Sequence, residues 1–178
     1  QTPALVMIKK RLGWLVVLFI CGFFSCEVLR NYEATLSQWS FLLFFLPIIT
    51  SVGGNSGTQA ASLIIRGIAI NEMSVRDAWL VCRREVVIGL LLGGVLSLLG
   101  FVRAFTWGMG PVVGMIVAVT VVLVVLFGVL AGSMLPFVFE KFKLDPAVVS
   151  SPFISTLLDV TGIIIYINVA VVFMHYFQ

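Results

Sequence analysis

The chain has 178 residues, of which 61% are hydrophobic and 11% charged, and its formal net charge is +3. A soluble domain carries about 25% charged residues, and so few charges cannot cover a water-facing surface. The composition excludes an ordinary soluble protein and indicates an integral membrane domain. The basic residues are dispersed among short connectors, which argues against nucleic acid as a partner. The cysteines form no CxxC pair, so neither a zinc site nor a disulfide framework is indicated.

Five stretches are long and apolar enough to predict membrane-spanning helices, since a span needs about 20 mostly apolar residues. The predicted helices cover residues 12–29, 41–65, 78–102, 112–139 and 147–177. Their connectors are short, so we expect a single all-α integral membrane domain over residues 12–178, after a cytoplasmic segment over residues 1–11. No small-residue cleavage site follows the basic start of the chain, which predicts a retained first helix rather than a secretory signal.

The distribution of basic residues predicts the orientation in the membrane. One side of the five predicted helices carries Lys9, Lys10, Arg11, Arg66, Arg76, Arg83, Arg84, Lys141 and Lys143. Only Arg30 and Arg103 fall on the other side. We therefore expect a cytoplasmic N-terminus, an external C-terminus and a multi-pass protein of the cell membrane.

Small residues allow helix backbones to approach closely in lipid. Gly89 and Gly93 in the third predicted helix are spaced four apart, as are Gly128 and Gly132 in the fourth. Both pairs are typical of helix–helix contacts.

The second predicted helix contains an unusually polar segment between Ser51 and Gln59. Ser51, Asn55 and Gln59 share one helical face, and this stripe must face protein or a water-filled path. Gly53 and Gly54 permit local unwinding, which would free backbone carbonyls as hard ligands for Mg²⁺ or its water shell. The alternative interpretation is a tight helix crossing in which the polar groups satisfy one another.

The fifth predicted helix opens with an acidic residue, Asp145, directly before a proline. A residue before proline is a common helix boundary, so Asp145 can cap the helix. It can also attract cations at the cytoplasmic mouth of a pore. The two roles are compatible, and the sequence does not choose between them.

Asp159 lies among apolar residues well inside the fifth predicted helix. A carboxylate at that depth costs at least ~2.5–3.5 kcal/mol, so it should have a partner. No basic residue is predicted at a comparable depth. Asp159 is therefore either protonated or neutralised by a cation, and we favour ion binding over a structural role. Ser155 and Thr156, one turn earlier, are expected to orient water or expose carbonyls.

Closed twofold symmetry is the commonest arrangement of oligomers. A twofold axis beside Asp159 would bring two copies of this residue together. Two carboxylates balance the charge of one Mg²⁺. Since Mg²⁺ dehydrates reluctantly and keeps several waters, one carboxylate from each copy is enough.

Two protease interpretations fail on distance. Ser56 lies in a GxSG motif, but the only histidine, His175, is expected about 20 Å away in depth. Asp145 and Asp159 are about 21 Å apart along a helix, too far for an aspartyl dyad. The chain is therefore not expected to be an enzyme.

Two motifs carry a family resemblance. Gly-Gly-Asn-Ser-Gly-Thr-Gln at 53–59, and Asp-Pro-Ala-x-x-Ser-x-Pro-Phe at 145–153 followed by Asp159, resemble the transmembrane domain of the MgtE family of Mg²⁺ channels. The resemblance spans nearly the whole chain. It implies a homodimer, a pore lined by the second and fifth helices, a central Mg²⁺ site at Asp159 with Ser155 nearby, and a metal role for Asp145. It also implies preceding cytoplasmic regulatory domains, so that residues 1–11 are the end of a connecting helix.

Together these features predict a pore for Mg²⁺, with other divalent cations as further candidates. The expected metal-site residues are Asp159, Asp145 and Ser155, and the expected pore-lining residues are Ser51, Gly53, Gly54, Asn55, Gln59 and Thr156. An alternative is a secondary transporter in which Asp159 takes up a proton or Na⁺. A non-conducting membrane scaffold is a third class.

Overall fold

Helices make up almost all of the chain that the computed structural model describes, which is residues 4–143 and 151–177. The helices are α1 (Ala4–Asn31), α2 (Glu33–Gln38), α3 (Leu42–Ala69), α4 (Ala78–Thr106), α5 (Gly110–Lys141) and α6 (Ser151–Phe177). A 3₁₀ turn over Val75–Asp77 precedes α4. No strand occurs in these residues. The predicted all-α membrane class is confirmed.

The predicted number of membrane-spanning helices is wrong. Among the described residues, four helices are long and apolar enough to cross a membrane, and they lie within Val6–Asn31, Val75–Thr106, Gly110–Lys141 and Ser151–Phe177. Helix α3 has 28 residues but is not one of the four. Its polar and glycine residues lower the mean hydropathy of the segment. An odd number of crossings was needed to place the two ends on opposite sides, so that orientation loses its support as well.

The connection between α3 and α4 is built from local hydrogen bonds. Helix α3 ends before Asn71, which adopts φ 57°, a left-handed conformation that asparagine tolerates. The Asp77 carboxylate then accepts hydrogen bonds from the Ser74 backbone N–H at 2.9 Å and from the Ser74 hydroxyl at 3.0 Å. Ser74 and Asp77 form a capping box, which begins the 3₁₀ turn that leads into α4.

Helix α5 is the centre of the bundle. Its valines Val117, Val121, Val124 and Val125 are almost fully buried, and α3, α4 and α6 pack around them. Helix α1 instead packs mainly on α6, and none of its described side chains is buried. The core therefore lies among α3, α4, α5 and α6, with α1 at the edge.

Glycines set the distance between α5 and its two neighbours. A Cβ atom added at Gly128 would lie 2.9 Å from the Gly53 carbonyl oxygen, and one added at Gly132 would overlap the Gly57 carbonyl oxygen. A Cβ atom at Gly93 of α4 would lie 3.0 Å from the Cα atom of Val122 on α5. The predicted use of the spaced glycines in close helix contacts is confirmed.

We expect Gly128→Ala to lower the free energy of unfolding by about 1–3 kcal/mol, because the added methyl group collides with the backbone of α3. Gly94→Ala is the matched control, since a Cβ atom there meets nothing within 4 Å. That variant should be neutral, or more stable by up to about 1 kcal/mol. Denaturant titration in mixed micelles measures both, and equal effects would contradict the close approach.

Candidate functional site

Helices α3 and α6 cross in antiparallel directions with a defined register. A Cβ atom added at Gly54 would lie 3.3 Å from the Ser155 hydroxyl oxygen, so the α3 backbone and this side chain are in direct contact. On one side of that contact, the Ser151 hydroxyl donates to the Thr58 hydroxyl at 3.4 Å. On the other side, Gly162 faces Ile49, 3.9 Å from its added Cβ atom. Residues later in α6 therefore lie beside residues earlier in α3.

This register brings the predicted carboxylate to the level of the polar segment. Asp159 is one helical turn beyond Ser155 on the same face of α6, and it lies at the height of Ser51 on α3. Asp159 is half-buried. Within residues 4–143 and 151–177 it has no ion pair and no side-chain hydrogen bond. The ion pair found there joins Glu27 and Arg30 at 4.0 Å, both of them exposed.

The polar residues of α3 lie along one face of the helix. Ser51, Asn55 and Gln59 are all exposed on the surface of the single chain. The Asn55 amide donates to the Ser51 hydroxyl at 3.3 Å, so the stripe is partly linked along its length. We refer to Ser51, Asn55 and Gln59 as the polar stripe.

The glycines of α3 lie on other faces than the polar stripe. Gly53, Gly54 and Gly57 are buried against α5 and α6. The alternative of a tight helix crossing therefore holds for the glycines, but not for the polar side chains. The glycines permit local unwinding, but it does not occur in the structure, because α3 is a continuous helix from Leu42 to Ala69.

Thr156 lies apart from the other predicted pore-lining residues. It lines a largely apolar cavity of about 340 Å³ between α1 and α6, and its hydroxyl donates to the Pro152 carbonyl at 2.9 Å. Ser155 and Thr156 are adjacent in sequence but about 100° apart around the helix, so they face different neighbours. Asp145 lies outside the described residues.

A single chain does not enclose an ion within the part that the structure describes. No group of three or more histidine, cysteine, aspartate or glutamate side chains comes together there. The available oxygens are one carboxylate, Asp159, with the hydroxyl and amide groups of Ser155 and the polar stripe. Such a set suits a cation that keeps much of its water shell.

Ser56 is held by its own helix. Its hydroxyl donates to the Val52 carbonyl at 2.7 Å, a bond typical of serines inside helices. His175 lies in the last turn of α6, exposed, with its ring 5.8 Å from that of Tyr176. The contacts of Ser56 are those of a structural serine.

Two hydrogen bonds that hold α6 in place were not predicted from the sequence. One is the contact between Ser151 and Thr58. The other runs from the Asn168 amide to the Tyr32 hydroxyl at 3.0 Å and ties the end of α1 to α6. Asn168 is a polar residue within an apolar run, which was the available signal for a partner on another helix.

Comparisons with known proteins place these elements in a family. A family model named MgtE, described as a divalent cation transporter, matches residues 46–169. A magnesium transporter MgtE of Thermus thermophilus is 41% identical over 160 residues, covering 90% of this chain and 35% of that protein. Those of Bacillus subtilis and Enterococcus faecalis are 33% and 34% identical, covering 98% and 95% of this chain. The chain spans less than two fifths of the length of these relatives.

The register of α3 and α6 can be tested by cross-linking. In a variant without the three native cysteines, Thr58→Cys with Ser151→Cys should form an intramolecular disulfide on mild oxidation, because the two hydroxyl oxygens are 3.4 Å apart. The control pair is Thr58→Cys with Thr156→Cys, which lies on another face of α6. Mass spectrometry of the linked peptides measures both. More linkage in the control pair would contradict the register.

Proposed function

Because the chain belongs to the MgtE family of divalent cation transporters, we propose that it forms the ion-conducting membrane domain of a magnesium transporter. Mg²⁺ is the transported substrate. The observation that carries this proposal is the register of α3 and α6, in which Ser155 packs on Gly54 and Asp159 lies at the level of Ser51. The relatives named as magnesium transporters support the choice of ion.

The polar stripe supports a homodimer. Helix α3 packs against α5 and α6, which are both apolar enough to span a membrane, so its exposed polar side chains lie at membrane depth. Polar groups that face hydrocarbon without partners cost several kcal/mol each, in the range of about 2–7 kcal/mol. A second copy related by a twofold axis would remove the stripe from lipid and enclose a polar path between the two chains.

In this proposal the ion keeps most of its water. Each copy supplies one Asp159 carboxylate, and two carboxylates balance one Mg²⁺. The Ser155 hydroxyl and the amide oxygens of Asn55 and Gln59 accept hydrogen bonds from the water shell. Gly54 contributes by its small size, since it allows α3 to lie against Ser155 without displacing the hydroxyl. Asp145 is proposed to attract cations at the mouth of the path.

We also propose regulatory domains and a cellular location for the whole protein. The relatives are more than twice as long as this chain, which leaves room for cytoplasmic regulatory domains that control opening. The cell membrane is the proposed location, with the apolar helices in contact with lipid.

A coupled transporter is the second candidate. Asp159 has no basic partner among the described residues, so a proton or Na⁺ could neutralise it in place of Mg²⁺. Such coupling would make the flux depend on a gradient of the second ion rather than on the membrane potential alone.

We expect Asp159→Asn to reduce Mg²⁺ flux into liposomes by at least about tenfold, because the neutral amide loses the charge attraction for the ion. Glu33→Gln is the control, since Glu33 is an exposed carboxylate in the first turn of α2. It should leave the flux unchanged. A fluorescent Mg²⁺ indicator inside the liposomes measures the rate. Wild-type flux in Asp159→Asn, with folding confirmed, would refute the proposed site.

The same liposomes separate the two candidate functions. A pore should conduct when only a membrane potential is imposed, at equal pH and equal Na⁺ on both sides. Flux that starts only after a pH or Na⁺ gradient is added would favour the coupled transporter. The wild-type chain is measured in both conditions at one Mg²⁺ concentration.

A further inference from the structure

Helix α4 presents an apolar face to its surroundings. Leu80, Val87, Leu91, Val95 and Leu98 lie along this face and are between 57% and 67% exposed. Gly89 and Gly93, on the opposite face, pack against α5. In a membrane the exposed face contacts acyl chains, since no other described helix covers it.

Two neighbouring arginines, Arg83 and Arg84, interrupt this apolar face near the start of α4. The uncharged run from Val86 to Val102 spans about 26 Å at 1.5 Å per residue, close to the thickness of the hydrocarbon core. Arg83 and Arg84 therefore lie at the level of the lipid phosphates of one leaflet. Arg103 marks the other end of the run.

The arginines at the two ends of α4 differ in their contacts. Arg83 and Arg84 are exposed, and among the residues that the structure describes neither has a carboxylate within 4.0 Å. The guanidinium of Arg103, in contrast, lies 4.2 Å from the centre of the Trp107 ring. The pair at the start of α4 thus presents two guanidinium groups without a salt bridge in this part of the chain, although the neighbouring Glu85 carboxylate attracts Arg84.

The groove beside these arginines combines charge with apolar walls. Arg83, Arg84, Leu80, Val87 and Ile88 line an open groove of about 590 Å³. An adjoining groove between α3 and α4 contains Arg84 and Arg66, but also two carboxylates, those of Glu72 and Glu85. An anion is favoured in the first groove, where both arginines and no acidic residue form the wall.

We propose that this first groove binds an anionic phospholipid of the surrounding membrane. The phosphate accepts hydrogen bonds from both guanidinium groups, whose planar donors match phosphate oxygens. One acyl chain lies along Val87, Leu91 and Val95. The Trp79 side chain, 73% exposed one residue before Leu80, is suited to the headgroup level.

The apolar wall distinguishes a lipid from a soluble phosphate. Free phosphate would gain from the two charges alone, whereas a phospholipid also covers the exposed side chains below them. Basic residues near an anionic leaflet contribute about 1 kcal/mol each, so loss of both should weaken binding about thirtyfold. The site goes beyond transport and does not depend on the proposed ion path.

The test measures lipid binding to the purified chain in a neutral detergent by native mass spectrometry. The wild type should bind phosphatidylglycerol at least about tenfold more tightly than phosphatidylcholine. Arg83→Gln with Arg84→Gln should abolish this preference, while Arg83→Lys with Arg84→Lys should retain part of it, because the charge remains but the planar donors are lost. Arg103→Gln, at the other end of the same helix, should bind phosphatidylglycerol as the wild type does.

Several outcomes would overturn the proposal. An unchanged preference in the double glutamine variant would exclude the two arginines as the site. An equal loss in Arg103→Gln would indicate a general charge effect. Glycerol 1-phosphate, which lacks acyl chains, is the soluble competitor, and displacement of the lipid at equal concentration would indicate a phosphate site rather than a lipid site. None of these measurements uses ion flux, so their failure is distinct from failure of the proposed transport.

Discussion

The contact between α3 and α5 controls the orientation of α3, which carries the polar stripe. Gly53 and Gly57 face Gly128 and Gly132, and the two backbones touch where side chains would otherwise separate them. Helices in lipid gain little from burying apolar surface against each other, so close backbone packing is the main source of their association. Because a side chain at these positions would force the helices apart, the glycines fix both the separation and the rotation of α3.

The rotation of α3 decides where its polar groups point. The polar stripe and the glycines both recur every four residues, but the two series are offset by two positions, which is about 200° around a helix. Packing the glycines against α5 therefore turns Ser51, Asn55 and Gln59 outward. Gly54 lies between the two faces and leaves space for Ser155 of α6. The level of Asp159 beside this segment of α3 thus depends on the packing of glycine backbones between the helices.

Much of this arrangement could be predicted from the sequence, because it depends on helical periodicity. The shared face of the polar stripe and the use of the spaced glycines in close helix contacts both follow from spacing alone. Periodicity does not show which neighbour each face meets, so Thr156 was grouped with Ser155 although it faces α1. The unwinding that Gly53 and Gly54 would permit does not occur, and the space that these glycines leave is filled by Val124 and Ser155.

The error in the number of spans has a related cause. The apolar first half of α3 led to the prediction of a membrane span over residues 41–65. The second half is polar, and the mean hydropathy of α3 over a full span therefore falls below that of the other long helices. The buried residues of α3 include Phe45, Ile49 and all four of its glycines, so its place in the bundle depends on packing against protein. The short helix α2 was missed because six residues do not establish a periodic pattern.

Helices α3 and α4 both pack glycines against α5, but their opposite faces differ in composition. In α4, Gly89 and Gly93 pack against α5, and Val87, Leu91 and Val95 follow the same period with the same offset of two. The face opposite the glycines is therefore turned outward in both helices. In α3 that face carries hydroxyl and amide groups, which need a partner or water, whereas in α4 it carries branched apolar side chains that need neither. Since α5 holds both helices by glycine contacts, the two helices differ mainly in the composition of the outward face. The apolar face of α4 ends at Arg83 and Arg84, whereas the outward face of α3 carries polar groups from Ser51 to Gln59.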